Sequence, residues 1–246
     1  MSDYKYIIIA SHRRSGTHFL IDSLFNNFVD IKNGYVNLDR LLTTHNENLS
    51  ISQFKKIISN RKKTILKTHT FGDFSTFTDK IISCFIKEEI LPFAKIIYIH
   101  RDGKDVLNSL YYYLQSKGGK YKFFSEFIHS KNKFDNYKTY LNRIEFLREH
   151  KNSWEKRDVF RIEYEYLKND YNNNLEKIAK YLNLNLNQKI IKIGIKKYNI
   201  LQRGIRRIFP SMFISTAVLP RKGIIDDWKN NFSEKDLKYY NSIMNL

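Results

Sequence analysis

The chain contains one cysteine, three prolines and nine glycines among its 246 residues. A single cysteine, Cys84, excludes an intramolecular disulfide framework. Because no stretch rich in proline, glycine or serine interrupts the sequence, we predict a single domain covering residues 1–246. The apolar run Tyr6–Ala10 is too short for a membrane span or for the core of a signal peptide. We therefore expect a protein without a membrane span in a reducing compartment, the cytoplasm.

The sequence also lacks the motifs of two catalytic classes. No Cys/His spacing resembles a zinc site, and we predict no bound metal. The tripeptide His100-Arg101-Asp102 resembles part of the catalytic loop of protein kinases. However, the asparagine which that loop needs five residues beyond the aspartate is Leu107 here, and no Gly-x-Gly-x-x-Gly loop occurs. These absences argue against a protein kinase.

Acidic residues are few relative to basic ones. The chain has 43 lysines and arginines against 25 aspartates and glutamates, a formal net charge of +18 at pH 7. Such a charge suggests an anionic ligand, nucleic acid or an acidic membrane surface. Lysine, asparagine and isoleucine are abundant throughout, however, which indicates a general compositional bias. No nucleic-acid recognition motif accompanies the charge, so we expect no nucleic-acid partner and keep a basic nucleic-acid-binding protein as the alternative.

Apolar runs of strand length alternate with longer stretches of helical spacing. The runs are Tyr6–Ala10, Thr64–Lys67, Ile96–His100 and Val159–Ile162. Helical spacing is found at Phe19–Phe28, Asp105–Leu114, Phe134–His150 and Leu175–Leu182. This alternation predicts an α/β fold in which helices flank a central parallel β-sheet.

The first apolar run leads directly into Ser11-His12-Arg13-Arg14-Ser15-Gly16-Thr17-His18 and then into a helical stretch. A strand, a short polar turn with glycine and a helix aim backbone N–H groups and the positive helix end at one point, where an anion is stabilised. The loop is P-loop-like but not of the nucleotide-hydrolysing type, which needs Gly at position 11 and Lys at position 17. Its cation is Arg14, so we predict a phosphate ester bound without the usual lysine and magnesium. The alternative is a small-molecule kinase with an aberrant loop.

The loop resembles the 5′-phosphosulfate loop of the sulfotransferases that use 3′-phosphoadenosine-5′-phosphosulfate (PAPS), in which Lys or Arg precedes Ser-Gly-Thr. Three further segments resemble the same family in the same order, namely Leu66–His69, Ile96–Ser109 and Arg221–Lys229. The second carries an arginine and a serine eight positions apart after a strand, and the last reads Arg-Lys-Gly followed by Asp-Trp-Lys. The chain is similar to PAPS-dependent sulfotransferases, and the resemblance implies PAPS as cofactor, adenosine 3′,5′-bisphosphate as its product and no required metal.

The resemblance assigns the loop to the phosphosulfate. Arg14 is expected to bind it and to stabilise the charge that develops on the bridging oxygen during transfer. The other loop and helix residues expected to bind the cofactor at this end, through backbone N–H groups or side chains, are Ser15, Gly16, Thr17 and His18.

The resemblance also assigns two catalytic side chains beyond the loop. His69 is expected to be the general base toward the acceptor, because imidazole titrates near working pH. Lys67 precedes it by two residues on a predicted strand, so both side chains leave the strand on the same face. Lys67 is expected to neutralise a sulfuryl oxygen or the bridging oxygen.

A 3′-phosphate site is implied at the other end of the cofactor. Arg101 and Ser109 are expected to bind it, since a guanidinium gives bidentate contact and a hydroxyl fills a remaining acceptor direction. Arg221, Lys222 and Gly223 are expected to close over the same phosphate, with the glycine allowing close approach of its N–H.

The adenine requires a flat apolar slot. Phe19 stands where the family usually has tryptophan and is expected to stack on the base. Tyr164 is expected to hydrogen-bond the adenine, and a second stacking residue is expected near Tyr198.

The acceptor is expected to be a small molecule or a saccharide, and phenols, alcohols, amines, sugars and peptidyl tyrosine stay open. The family's dimer motif corresponds to Lys229–Lys238, where its last charge is reversed. We therefore do not expect dimerisation by that route.

Overall fold

The computed structural model of the protein describes residues 4–31, 34–42, 49–59, 63–119, 121–133, 140–192 and 223–245. Its strands are β1 (Tyr6–Ala10), β2 (Tyr35–Asn37), β3 (Thr64–Thr68), β4 (Ala94–His100), β5 (Asn132–Lys133), β6 (Tyr140–Leu141) and β7 (Phe160–Glu163). Five of them form a parallel sheet in the order β2-β3-β1-β4-β7, and β5 pairs with β6 in a separate antiparallel ribbon.

Helices connect the strands. The α-helices are α1 (Thr17–Asn27), α2 (Ile51–Ile58), α3 (Lys80–Phe85), α4 (Gly103–Gln115), α5 (Phe124–His129), α6 (Arg143–Glu155), α7 (Tyr164–Asn169), α8 (Tyr171–Leu182) and α9 (Glu234–Met244). A π-helical turn covers Ile86–Ile90, and 3₁₀ turns cover Leu38–Leu41, Leu91–Phe93 and Asp227–Asn230.

Strand β1 is the centre of the core. Ile7 and Ile9 pack in one apolar cluster with α1 and α8, whereas Ile8 and Ala10 pack in a second cluster with α2 and Trp154 of α6. All four strand residues are completely buried. A parallel strand that is covered on both faces reads as a continuous apolar run, and this explains the sequence of β1.

The α/β fold with a helix-flanked parallel sheet is confirmed. The strands predicted at 6–10, 64–67 and 96–100 lie in β1, β3 and β4, and the strand predicted at 159–162 is observed one residue later, at Phe160–Glu163. Strand β2 was not predicted, because three residues are too few to show a pattern and the strand forms by pairing with β3. That one domain covers residues 1–246 stays a prediction.

The predicted helix at Phe134–His150 is wrong at its start. Tyr140 and Leu141 lie in β6, and α6 begins only at Arg143. The reason is Asn142, whose side chain accepts the N–H groups of Ile144 and Glu145, while the Glu145 carboxylate accepts the Asn142 N–H at 2.7 Å. This capping box fixes the first turn of α6 and takes precedence over the apolar spacing before it. Residues 134–139 lie outside the described residues.

Candidate functional site

The carboxyl ends of the five parallel strands meet at one edge of the sheet. The loop 11–16 follows the central strand β1, Asp39 lies just beyond β2, and His69 follows β3. Arg101 follows β4, and Tyr164 follows β7. Open parallel sheets bind ligands at this edge, next to the point where the strand order reverses. In this sheet that point is at β1, which has β3 on one side and β4 on the other. We therefore place the candidate site around the loop 11–16.

The loop turns through two residues with left-handed backbone conformation. Arg14 has a φ of 76° and Gly16 a φ of 94°. Gly16 is the N-cap of α1, and a Cβ built at this position would lie 2.4 Å from Cδ2 of Tyr164. Only glycine fits there, and its small size lets the start of α1 approach the edge of the sheet.

Hydrogen bonds inside the loop determine which N–H groups serve a ligand. The Ser15 N–H donates to the His12 carbonyl at 3.3 Å, and the Ser11 and Thr17 hydroxyls lie 2.6 Å apart in a hydrogen bond. The N–H groups of Thr17 and His18 belong to the first turn of α1, where a helix offers no internal acceptor. These two N–H groups and the positive helix end are therefore suited to an anion, while the Ser15 N–H is already used within the turn.

His69 is held by the loop after β1 and by the end of β2. Its Nδ1 lies 2.8 Å from the Ser11 carbonyl oxygen and 3.3 Å from the Ser11 hydroxyl. Its backbone N–H donates to both carboxylate oxygens of Asp39, at 3.2 and 3.1 Å, and the Thr68 hydroxyl donates to the same carboxylate at 2.6 Å. Because a carbonyl only accepts, Nδ1 carries the hydrogen in the neutral ring. The lone pair is then on Nε2.

Charges near Lys67 and His69 set the protonation of both groups. Burial lowers the pKa of Lys67 to about 8, Asp39 opposes this shift, and the positive charge of Arg13 adds to it. Burial, followed by the charges of Lys67 and Arg13, lowers the pKa of His69 well below its ordinary value. At neutral pH, the imidazole is therefore neutral and the ammonium is charged.

Asp39 and Arg13 escaped the sequence analysis. Asp39 lies in a stretch without strand-length runs and reaches the site only because β2 pairs with β3, which no local pattern shows. Arg13 was visible beside Arg14 in the loop, but only Arg14 was assigned a role. Two consecutive arginines before a glycine were the available signal.

Arg14 lies against α4. Its Nε donates to the Ser109 hydroxyl at 3.1 Å, and its guanidinium lies 5.2 Å from the centroid of the Tyr113 ring. The structure therefore brings together Arg14, expected at the phosphosulfate, and Ser109, expected at the 3′-phosphate. Tyr113 was not singled out from the sequence.

Arg101 is held by carboxylates and by the C-terminal part of the chain. Its Nη2 forms an ion pair with Asp105 at 3.1 Å and donates to the Ile224 carbonyl at 2.7 Å. Its Nε lies 3.4 Å from Oε1 of Glu165, and its guanidinium lies 4.8 Å from the centroid of the Tyr164 ring. Burial raises the pKa of the Glu165 carboxyl, although the Arg101 charge lowers it.

A shallow cleft opens beside Arg101. It collects three of the residues expected at the 3′-phosphate, Arg101, Ser109 and Gly223, from two parts of the chain that are far apart in sequence. The lining residues are Arg101, Asp105, Asn108, Ser109, Gly223, Ile224 and Asp227. The roles of the expected ligands stay predictions.

The two residues expected at the adenine are neighbours. The rings of Phe19 and Tyr164 meet edge to face with centroids 5.6 Å apart, and Tyr164 is buried whereas Phe19 is half-buried. The Tyr164 hydroxyl lies 3.5 Å from the Gly223 carbonyl oxygen, which also accepts from Nζ of Lys168 at 2.7 Å. The aromatic pair and the cleft are therefore joined through Gly223.

Some expectations fall outside the part of the chain that the structure describes. Arg221, Lys222 and Tyr198 belong to the residues 193–222. Among the described residues, no three His, Cys, Asp or Glu side chains gather in a group that could bind a metal ion. In the same ranges, no helix is long and apolar enough to cross a membrane.

The family model described as a sulfotransferase domain matches residues 5–245. The chain belongs to the sulfotransferase family. Sulfotransferase 1 family member D1 of Mus musculus is 27% identical over 176 residues, which are 63% of this chain and 57% of that protein. Sulfotransferase 1B1 of Canis lupus familiaris is 25% identical over 248 residues, covering 92% of this chain and 78% of that protein. The match to the mouse relative thus spans little more than half of that relative's length.

Solved structures show the same fold for this member of the sulfotransferase family. Mouse sulfotransferase SULT7A1 complexed with PAP superposes with a TM-score of 0.60 at 22% identity, covering 97% of this chain and 83% of that chain. Retinol dehydratase in complex with androsterone and inactive cofactor PAP gives a TM-score of 0.62 at 18% identity, covering 98% and 79%.

Proposed function

We propose that the protein transfers a sulfuryl group from PAPS to a hydroxyl or amine of a small-molecule or saccharide acceptor. The hydrogen bond that holds the His69 ring carries this proposal. Nδ1 of His69 lies 2.8 Å from the Ser11 carbonyl oxygen, and this leaves Nε2 as the basic nitrogen. Ser11 also begins the anion-binding loop. A base and an anion site are therefore built from the same backbone turn.

The residues present fit PAPS, which supplies the activated sulfuryl group. The start of α1 offers N–H groups and a positive helix end for its 5′-phosphosulfate, and Gly16 has no room for a larger side chain. The cleft beside Arg101 offers donors for the 3′-phosphate, with Arg101, Ser109 and Gly223 in its walls. Resemblance adds Arg221 and Lys222 to this end. Phe19 and Tyr164 provide the aromatic surface for adenine.

His69 serves as general base in an in-line transfer. Its Nε2 takes the proton of the acceptor while the acceptor oxygen or nitrogen bonds to sulfur and the bond from sulfur to the bridging oxygen breaks. The electron pair of that bond stays on the 5′-phosphate. Because its pKa is lowered, the imidazole is in its basic form throughout the neutral pH range.

Lys67 supports the transfer as a buried cation. It is 7% exposed and lies on β3, two residues before His69. A positive charge in a site with little water strongly stabilises negative charge on a sulfuryl or bridging oxygen. Arg14, whose Nε donates a hydrogen bond to Ser109, binds the phosphosulfate and stabilises the charge that develops on the bridging oxygen.

The cofactor requires no metal, and the acceptor carries a hydroxyl or amine whose proton Nε2 removes. The aromatic-rich stretches 70–90 and 114–132 are candidate walls for the acceptor. We place the activity in the cytoplasm.

Ligand-induced thermal shifts test the function. A ligand present at a hundred times its Kd stabilises the native state by about 2.7 kcal/mol. We expect adenosine 3′,5′-bisphosphate to raise the melting temperature without magnesium, and sulfuryl transfer to acceptor panels to follow on addition of PAPS. A shift with ATP and magnesium alone would instead support a small-molecule kinase. Stabilisation by an oligonucleotide alone would support a nucleic-acid-binding protein.

A further inference from the structure

Asp105 lies at the wall of the cleft, in the first turn of α4, with only 2% of its surface exposed. Its Oδ2 accepts from Nη2 of Arg101 at 3.1 Å and from the Asp226 N–H at 2.9 Å. Its Oδ1 accepts from the Trp228 N–H at 3.1 Å. Both oxygens are thus used by donors from two distant parts of the chain.

The segment 223–231 contacts α4 through further hydrogen bonds. Nδ2 of Asn108 donates to Asp227 at 3.1 Å, and Nδ2 of Asn231 donates to Oδ1 of Asn108 at 2.9 Å. Within the segment, Asp226 has a left-handed φ of 67°, a conformation that residues other than glycine seldom adopt. The hydrogen bond from its N–H to Asp105 helps to hold this conformation.

Arg101 has one firm carboxylate partner and one loose one. It donates a hydrogen bond to Asp105, whereas Glu165 lies 3.4 Å from Nε and its carboxylate oxygens make no hydrogen bond among the described residues. A phosphate in the cleft can therefore replace Glu165 at the guanidinium while Asp105 keeps its contact. Asp105 itself has no donor for a phosphate, so it acts through its neighbours.

We propose that Asp105 is a positioning residue that couples Arg101 to the segment 223–228, so that both walls of the 3′-phosphate site are in place before the ligand arrives. This inference rests on the proposed function. It predicts that Asp105 governs recognition of the 3′-phosphate and leaves the 5′ end of the ligand unaffected.

The test compares the affinities of adenosine 3′,5′-bisphosphate and adenosine 5′-monophosphate for the whole protein by calorimetry. In Asp105→Asn, an amide NH₂ group replaces one of the two carboxylate oxygens that accept from Arg101, Asp226 and Trp228. We expect the bisphosphate to bind roughly ten- to a hundredfold more weakly, the range for one hydrogen bond to a charged group, while the monophosphate changes less than about twofold. Amide hydrogen exchange should also accelerate in 223–231 and not in α6.

Two matched variants isolate the coupling. Asp102→Asn makes the same change one turn away, where the side chain caps α4 through the N–H groups of Lys104 and Asp105, and it should leave both affinities unchanged because asparagine caps equally well. Glu165→Gln touches the loose partner alone and should not weaken the bisphosphate, because the phosphate replaces Glu165 at the guanidinium. If Asp105→Asn does not fold, Asn108→Ala gives a milder loosening of the segment, with a smaller loss still confined to the bisphosphate.

If Asp105→Asn lost the same affinity for both ligands, its role would be merely structural and the inference would be overturned. Unchanged affinity for both ligands would overturn it too. The same two outcomes apply to Asn108→Ala when it replaces that variant. A wild-type protein that binds the two ligands equally would overturn the proposed function, and the inference with it. The wild-type comparison therefore separates the two failures.

Discussion

The lowered pKa of Lys67 predicts that ligand binding takes up a proton. The buried ammonium has a pKa of about 8 in the free protein. A bound 5′-phosphate or sulfuryl group would restore the charged form and raise this pKa toward the ordinary lysine value of about 10.4. The uptake for one such group is then about 0.1 proton at pH 7, about 0.5 at pH 8 and about 0.9 at pH 9. Since the complex binds more protons than the free protein, affinity should fall as pH rises above 8, approaching tenfold per pH unit.

Calorimetry measures this uptake directly. Adenosine 3′,5′-bisphosphate is titrated into the protein at pH 7, 8 and 9 in buffers of different ionisation enthalpy, and the slope of binding enthalpy against ionisation enthalpy gives the protons taken up. Lys67→Met should abolish the uptake at pH 8 and 9. Lys168→Met is the matched control, because burial also lowers the pKa of this lysine, which contacts Gly223 at the other end of the site. If Lys67→Met and wild type showed the same uptake, the assignment of Lys67 to the ligand would be refuted.

His69→Ala should lower turnover by about 10²–10⁴-fold with little change in bisphosphate affinity, and the wild-type kcat/KM should rise with pH only below the ordinary histidine range, a limb that the variant loses in a pH–rate profile. Arg101→Ala and Arg221→Ala should each weaken the bisphosphate by roughly 1.5–3 kcal/mol in calorimetry and leave the 5′-monophosphate unaffected; equal binding of both ligands would contradict the site. Gly16→Ala should lower the free energy of unfolding in urea by more than about 1 kcal/mol, because strain at positive φ adds to the clash with the neighbouring tyrosine ring. Its matched control is Gly118→Ala, at a glycine with a φ of 82° and open space around it, and a similar loss in both variants would show that the clash contributes nothing.

The strand, loop and helix at residues 6–27 could be predicted because local signals agree there. A completely buried strand has no polar alternation, and the glycine before a helical spacing indicates where the chain turns. Lys67 and His69 were assigned from their place at the end of a strand in a recognisable order of motifs, and their catalytic roles stay predictions. Each of these inferences depends on residues that are adjacent in sequence.

The parts that could not be predicted depend on neighbours distant in sequence. Asp39 orients the His69 backbone only because β2, three residues long, pairs with β3. Asp105 looked like an ordinary helix residue, since its partners Asp226 and Trp228 are about 120 positions away. The prediction of where α6 starts failed for a local reason, because the capping box at Asn142 fixes the first turn regardless of the apolar spacing before it.

The contact between Arg101 and Glu165 has a consequence for selectivity among anions. The resting guanidinium already lies beside two carboxylates, those of Asp105 and Glu165. Inorganic phosphate or sulfate brings only its own charge and has to displace Glu165 without other contacts to offset the cost. A nucleotide would also contact the Phe19–Tyr164 pair and the N terminus of α1, and these contacts would offset that cost. We therefore expect Glu165 to reduce occupation of the site by abundant small anions.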